Sequence, residues 1–164
     1  MGKFYEGVYD DLSLHVRQLA WLHTAPTPKT KPGRKPPTDE QRMTRLQTLQ
    51  LEGLDPSIPD AGVAAYLVKY LFEVGPTLVA GMGRAPISWA EISAWMHSTG
   101  QALQTWESTM LRRLSGDYLA TTLDAADPAF PAPFSEQPTP DQRKLVSQKI
   151  RTALKGWSAP TRGQ

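Results

Sequence analysis

Proline decides where this chain can and cannot build a core. Ten of its fifteen prolines fall in two stretches, five within residues 24–37 and five within residues 124–140. Each removes a backbone donor and holds φ at about −65°, so neither stretch can enter a helix interior or a central strand. Residues 24–37 also carry Lys29, Lys31, Arg34 and Lys35 and no large apolar side chain. They read as an extended, basic linker. Residues 124–140 read as a second linker, acidic and bearing Phe130 and Phe134. The chain therefore divides into an N-terminal amphipathic helix (1–23), the basic linker (24–37), a helical core domain (38–123), the acidic linker (124–140) and a basic C-terminal helix and tail (141–164).

Between the linkers the periodicity is helical. At about 100° per residue, Phe4, Val8, Leu12, Leu19 and Leu22 share one side of the first segment. Thr38 with Gln41 three residues on has the spacing of a capping box, and predicts a helix to about residue 53 with Met43, Leu46, Leu49 and Leu54 as a weak stripe. Residues 61–74 are the most apolar stretch, with Ala65, Lys69 and Glu73 as its polar strip, and predict a central helix stopped by Gly75-Pro76. Residues 78–86 read as a loop or short turn. Ser88 and Glu91 form a second capping-box pattern, opening a helix that ends near Ser98 before Gly100. A longer helix over about 103–123 turns Leu103, Trp106, Met110, Leu111, Leu114 and Tyr118 inward, and its short connection predicts an antiparallel helical hairpin over about 88–123. Thr139-Pro140-Asp141 opens the last helix, with Val146, Ile150, Ala153 and Trp157 on one side. No segment alternates well enough to predict a strand. The expected fold class is all-α: a small helical bundle with detached terminal helices.

Composition narrows the chemistry. With no cysteine there is no disulfide framework, thiolate zinc site or cysteine nucleophile. His15, His23 and His97 lack metal-ligand spacing. Gly81-Met82-Gly83-Arg84 has neither a preceding strand pattern nor a P-loop lysine. The apolar run at 61–74 is too short to span a bilayer, and acidic and basic residues interrupt the N-terminal segment, which does not read as a signal peptide. The reading is a soluble, cytoplasmic protein that is not an enzyme, with no cofactor, no metal and no small-molecule substrate. A net charge of +2 hides a basic linker and a basic C-terminal segment set against an acidic remainder.

A few residues break pattern. Glu107 falls inside the apolar arc of its helix, where a carboxylate must find a partner, and Arg84 or His97 is the expected one. A general-base role competes with this structural one and lacks a second catalytic group. Trp89, Trp106 and Tyr118 read as core. Trp95, at the edge of its stripe, reads as an interface anchor. In the last helix Lys144, Lys149, Arg151 and Lys155 beside Ile150 and Trp157 form a candidate partner-binding arm.

Residues 66–119 hold a glycine-rich turn before Pro86-Ile87-Ser88-Trp89, then Glu91-Ile92, Trp95, Trp106-Glu107, residues 111–114 and Asp117-Tyr118-Leu119. This stretch, about a third of the chain, resembles small tail-gene proteins of long-tailed bacteriophages related to tail assembly chaperones, including the downstream part of the lambda-type G–T frameshift product. The resemblance implies a non-enzymatic role: keeping the tape-measure protein soluble and bringing tail-tube protein to it, with self-association left open. A structural virion component, such as a head–tail completion or minor tail protein, is the alternative. A nucleic-acid-binding regulator ranks below both, because no base-reading helix accompanies the basic segments.

Overall fold

The computed structural model describes residues 3–27 and 42–135. The Thr38 cap, most of the basic linker, and the C-terminal arm with Lys144, Lys149, Ile150, Arg151, Lys155 and Trp157 lie outside the described residues.

Helix α1 spans Lys3–His23, and every fourth residue from Val8 through Leu12 and Val16 to Ala20 is buried. This i, i+4 row is a stripe turned into the core, where one neighbour dominates. That neighbour is α5, Thr105–Asp124, which buries Met110, Leu111 and Leu114. Tyr5 rests its ring 5.3 Å from Trp106, and the Tyr9 and Ser13 hydroxyls donate to Asp117 at 2.6 and 2.8 Å. Low numbers meet low and high meet high, so α1 and α5 run parallel. The expected detached N-terminal helix is therefore corrected: α1 is half of the principal packing pair. At about 1.5–3 kcal/mol per fully buried aliphatic side chain, Leu12, Val16 and Leu22 rival a typical domain's whole net stability.

The central helix is shorter than its apolar run. Gly62 takes φ +70°, its N–H bound by the Asp60 carboxylate at 3.0 Å, and a 3-10 turn follows over Gly62–Ala64. A side chain at Gly62 would come within 3.1 Å of Oδ2 of the exposed Asp11 side chain, which can shift, so the positive φ is what favours glycine there. Helix α3 then covers Tyr66–Val74 and buries Leu67, Val68 and Leu71. Gly75, at φ +98°, ends it as expected.

Residues 78–85 depart from the sequence reading. Strands β1, Leu78–Ala80, and β2, Gly83–Ala85, pair antiparallel with Leu78 opposite Ala85, Val79 opposite Arg84 and Ala80 opposite Gly83. Gly81 supplies the positive φ (+57°) that a two-residue hairpin loop needs at its first position. Strands of three residues are too short to display alternation, which is why the segment read as a loop. Among the described residues the fold is mainly helical with one small hairpin.

Helix α4 spans Trp89–Thr99 and follows its sequence signals. Ser88 Oγ accepts from the Glu91 N–H at 3.3 Å, and Gly100 closes it at φ +71°. It packs mainly on α3, through Trp95 against Tyr70.

Helix α2 covers only Arg45–Leu51, opened by a reciprocal capping box between Thr44 and Gln47 rather than a helix continuing from Thr38. None of its residues is buried. Arg45 fixes it instead. Its guanidinium donates to Ala125 O at 2.8 Å and Asp127 O at 3.1 Å, reaches Trp21 O and Thr24 O at 3.5 Å, and lies 4.6 Å from the Trp21 ring centroid. Because α1 and α5 are parallel, their carbonyl-rich C-terminal ends lie side by side. One cation serves both.

Candidate protein-binding surface

The hairpin and the start of α4 are pinned to α5 by one hydroxyl. Ser115 Oγ, fully buried, accepts from the Ile87 N–H at 2.8 Å and donates to Pro76 O at 2.7 Å. Those two backbone groups bracket residues 76–87, and Ile87 fills the core between them. The intervening residues are thus held on a fixed base, with Leu78 turned to the core and most of the other side chains facing outward. Val79 and Met82 are almost wholly exposed, and Trp89 is half exposed.

The tryptophans exchange the roles expected of them. Trp95, the expected anchor, is 9 % exposed, its ring 4.9 Å from Tyr70 on α3. Trp89, expected in the core, is 49 % exposed. At the first turn of α4 it looks across to α5, where the Arg112 guanidinium lies 5.4 Å from its ring centroid. Pro86, Trp89, Thr109, Arg112 and Arg113 enclose a surface cleft of about 290 Å³. Arg113 stacks 3.7 Å over the Tyr9 ring, whose hydroxyl donates to Asp117. Burial, then that hydrogen bond and the Asp117 charge, raise the Tyr9 pKa. The Arg112-Arg113 doublet, outside the apolar stripe, was the signal available for this cleft. Nothing in the local pattern of α5 ties the doublet to Trp89, 23 positions before Arg112.

Trp106 is half-buried beneath Tyr5, and Tyr118 packs edge-on to Phe72, its pKa raised by burial despite the opposing Arg84 charge. Glu107 is buried as expected, but neither Arg84 nor His97 answers it. One carboxylate oxygen accepts from the Tyr66 hydroxyl and the other from the Gln104 N–H at 2.5 Å. Glu107 stands at the third position of α5, so it closes the helix start while tying α3 to α5. Burial, then the bond to Glu107 and its charge, push the Tyr66 hydroxyl well above the usual tyrosine range. With each oxygen holding a donor, the carboxylate acts as a clamp.

Among the described residues no group of His, Asp and Glu could hold a metal ion, and no helix is long and apolar enough to cross a membrane. No family model, curated protein or solved structure matches this chain. What the geometry itself defines is a mainly helical scaffold that presents an aromatic and cationic cleft beside an apolar hairpin tip.

Proposed function

We propose that this protein is a tail assembly chaperone of a long-tailed bacteriophage. In this reading it binds the tape-measure protein, the tail-tube subunits or both in the host cytoplasm, without catalysis. The supporting observation is the apolar edge carried by residues 79–89: Val79, Met82 and Trp89 face solvent on a base fixed by Ser115 and Ile87. Exposed apolar groups on a rigid base suit an interaction surface. A long helical client offers many repeats of such a weak contact, and repetition supplies avidity that one contact lacks.

Co-expression with the tape-measure protein and the tube protein from the same genome tests this. The chaperone should bring one of them into the soluble fraction, co-purify with it, and be missing from finished particles. Stoichiometric retention in purified particles would instead make it a structural virion component, and failure to capture either client would refute the reading.

A further inference from the structure

The cleft between α4 and α5 holds more specific chemistry than a greasy patch. We infer that it binds a short acidic peptide segment of a partner protein, a carboxylate engaging Arg112 while an adjoining apolar side chain lies on Trp89. The exposed Arg112 guanidinium carbon lies 5.4 Å from the centroid of the Trp89 ring. A guanidinium matches a carboxylate in two parallel hydrogen bonds while its carbon plane still tolerates an aromatic neighbour. Arg113 is the less available of the pair, since it lies over Tyr9 with Asp117 close by. Pro86 and the exposed half of Trp89 supply the apolar wall. At about 290 Å³ the cleft sits at the small end of ligand sites, roughly 300–1,000 Å³, which suits two or three side chains.

Charge selects the occupant. Residues 3–27 and 42–135 carry eight Lys and Arg against twelve Asp and Glu. Of those eight, Lys69 pairs with Glu73, Arg45 serves helix ends and Arg84 donates to Thr77. Arg112 is thus a local cation on a body whose charges are mostly acidic, which suits the one or two carboxylates of a short segment better than a run of phosphates. The inference stands on the cleft alone and is separate from the chaperone reading: peptide titration tests the one, client capture the other.

The experiment uses the full chain and a labelled eight-residue peptide of alternating Asp, Leu, Glu and Pro, read by fluorescence anisotropy. The comparators are the same peptide with Lys for each acid and an oligouridine of equal charge. The acidic peptide should bind, weaken as salt rises, and lose about tenfold or more in affinity in Arg112→Glu and in Trp89→Ala. Arg112→Glu should gain binding to the Lys peptide, a reversal that misfolding cannot produce. Melting curves of both variants should stay near wild type. Acidic-peptide binding that ignores Arg112→Glu would overturn the inference. So would tighter binding of oligouridine with the same dependence on Arg112, or loss of peptide binding through self-association at the cleft.

Discussion

Replacing Arg45 tests whether one exposed-looking cation holds three helices in register. Arg45→Ala removes guanidinium bonds to Ala125 O and Asp127 O, two longer ones to Trp21 O and Thr24 O, and the stack on Trp21. A charged hydrogen bond contributes about 1.5–3 kcal/mol, a favourable helix C-terminal cation up to about 2, and a cation–π contact about 0.5–1 when exposed. These overlap, since the same donors meet the same dipoles, and the site is partly open to water. A net loss of about 2–4 kcal/mol follows, or roughly 10 °C in Tm. Arg45→Lys should recover less than half of it, because a single ammonium cannot span the ends of α1 and α5 at once. Desolvation already lowers the Arg45 pKa, which marks the charge as partly withdrawn from water. Thermal melts at low and moderate salt provide the assay, with amide exchange at Ala125 and Asp127 locating the effect. A loss below about 0.5 kcal/mol, or equal stability in Arg45→Lys, would refute the capping argument.

Glu107→Ala should destabilise by about 1–3 kcal/mol, by stranding the Tyr66 hydroxyl and the Gln104 N–H, with Glu107→Gln milder; urea melts decide. Because the folded state raises the Tyr66 pKa, its contribution is complete below the unfolded value near 10.0 and is lost as pH climbs through the higher folded value. Tyr66→Phe should therefore flatten the fall in Tm above about pH 10. Trp95→Ala should cost about 3–5 kcal/mol and Trp89→Ala less than about 1, the reverse of what wheel positions suggest; parallel melts read both. Ser115→Ala should cost about 1–3 kcal/mol by leaving Ile87 N–H and Pro76 O unmatched, visible as faster amide exchange at Ile87.

Local signals were legible and distant ones were not. Ser88 and Gly100 bounded α4 because a cap and a left-handed stop act within one helical turn. Gly75 ended α3 for the same reason. Glu107 could be singled out because a carboxylate in an apolar arc is anomalous on its own helix, yet its partner, Tyr66, lies 41 residues earlier. The Trp89 and Trp95 exchange follows from where α3 lies, and no property of α4 specifies that. Arg45 gave no sign at all, because its acceptors come from two helix ends up to 82 residues away. The Thr-x-x-Gln spacing occurs at Thr38 and again at Thr44, so the pattern alone could not choose between them.

The parallel pairing of α1 with α5 also sets the order in which this protein can mature. Tyr5 meets Trp106, and Tyr9 meets a residue 108 positions downstream. A ribosome adding about 5–20 residues per second needs on the order of 5–20 s to supply the second helix after the first. Throughout that interval Leu12 and Val16 can meet only the earlier core residues such as Ala61, Ala64 and Leu67, so the side of the stripe that faces α5 stays uncovered. Closing a pair so distant in sequence makes folding slower than in helical proteins whose neighbours are adjacent. A ribosome that stops before α5 is complete leaves a product whose first helix lacks its principal partner, which is the kind of chain that proteases remove.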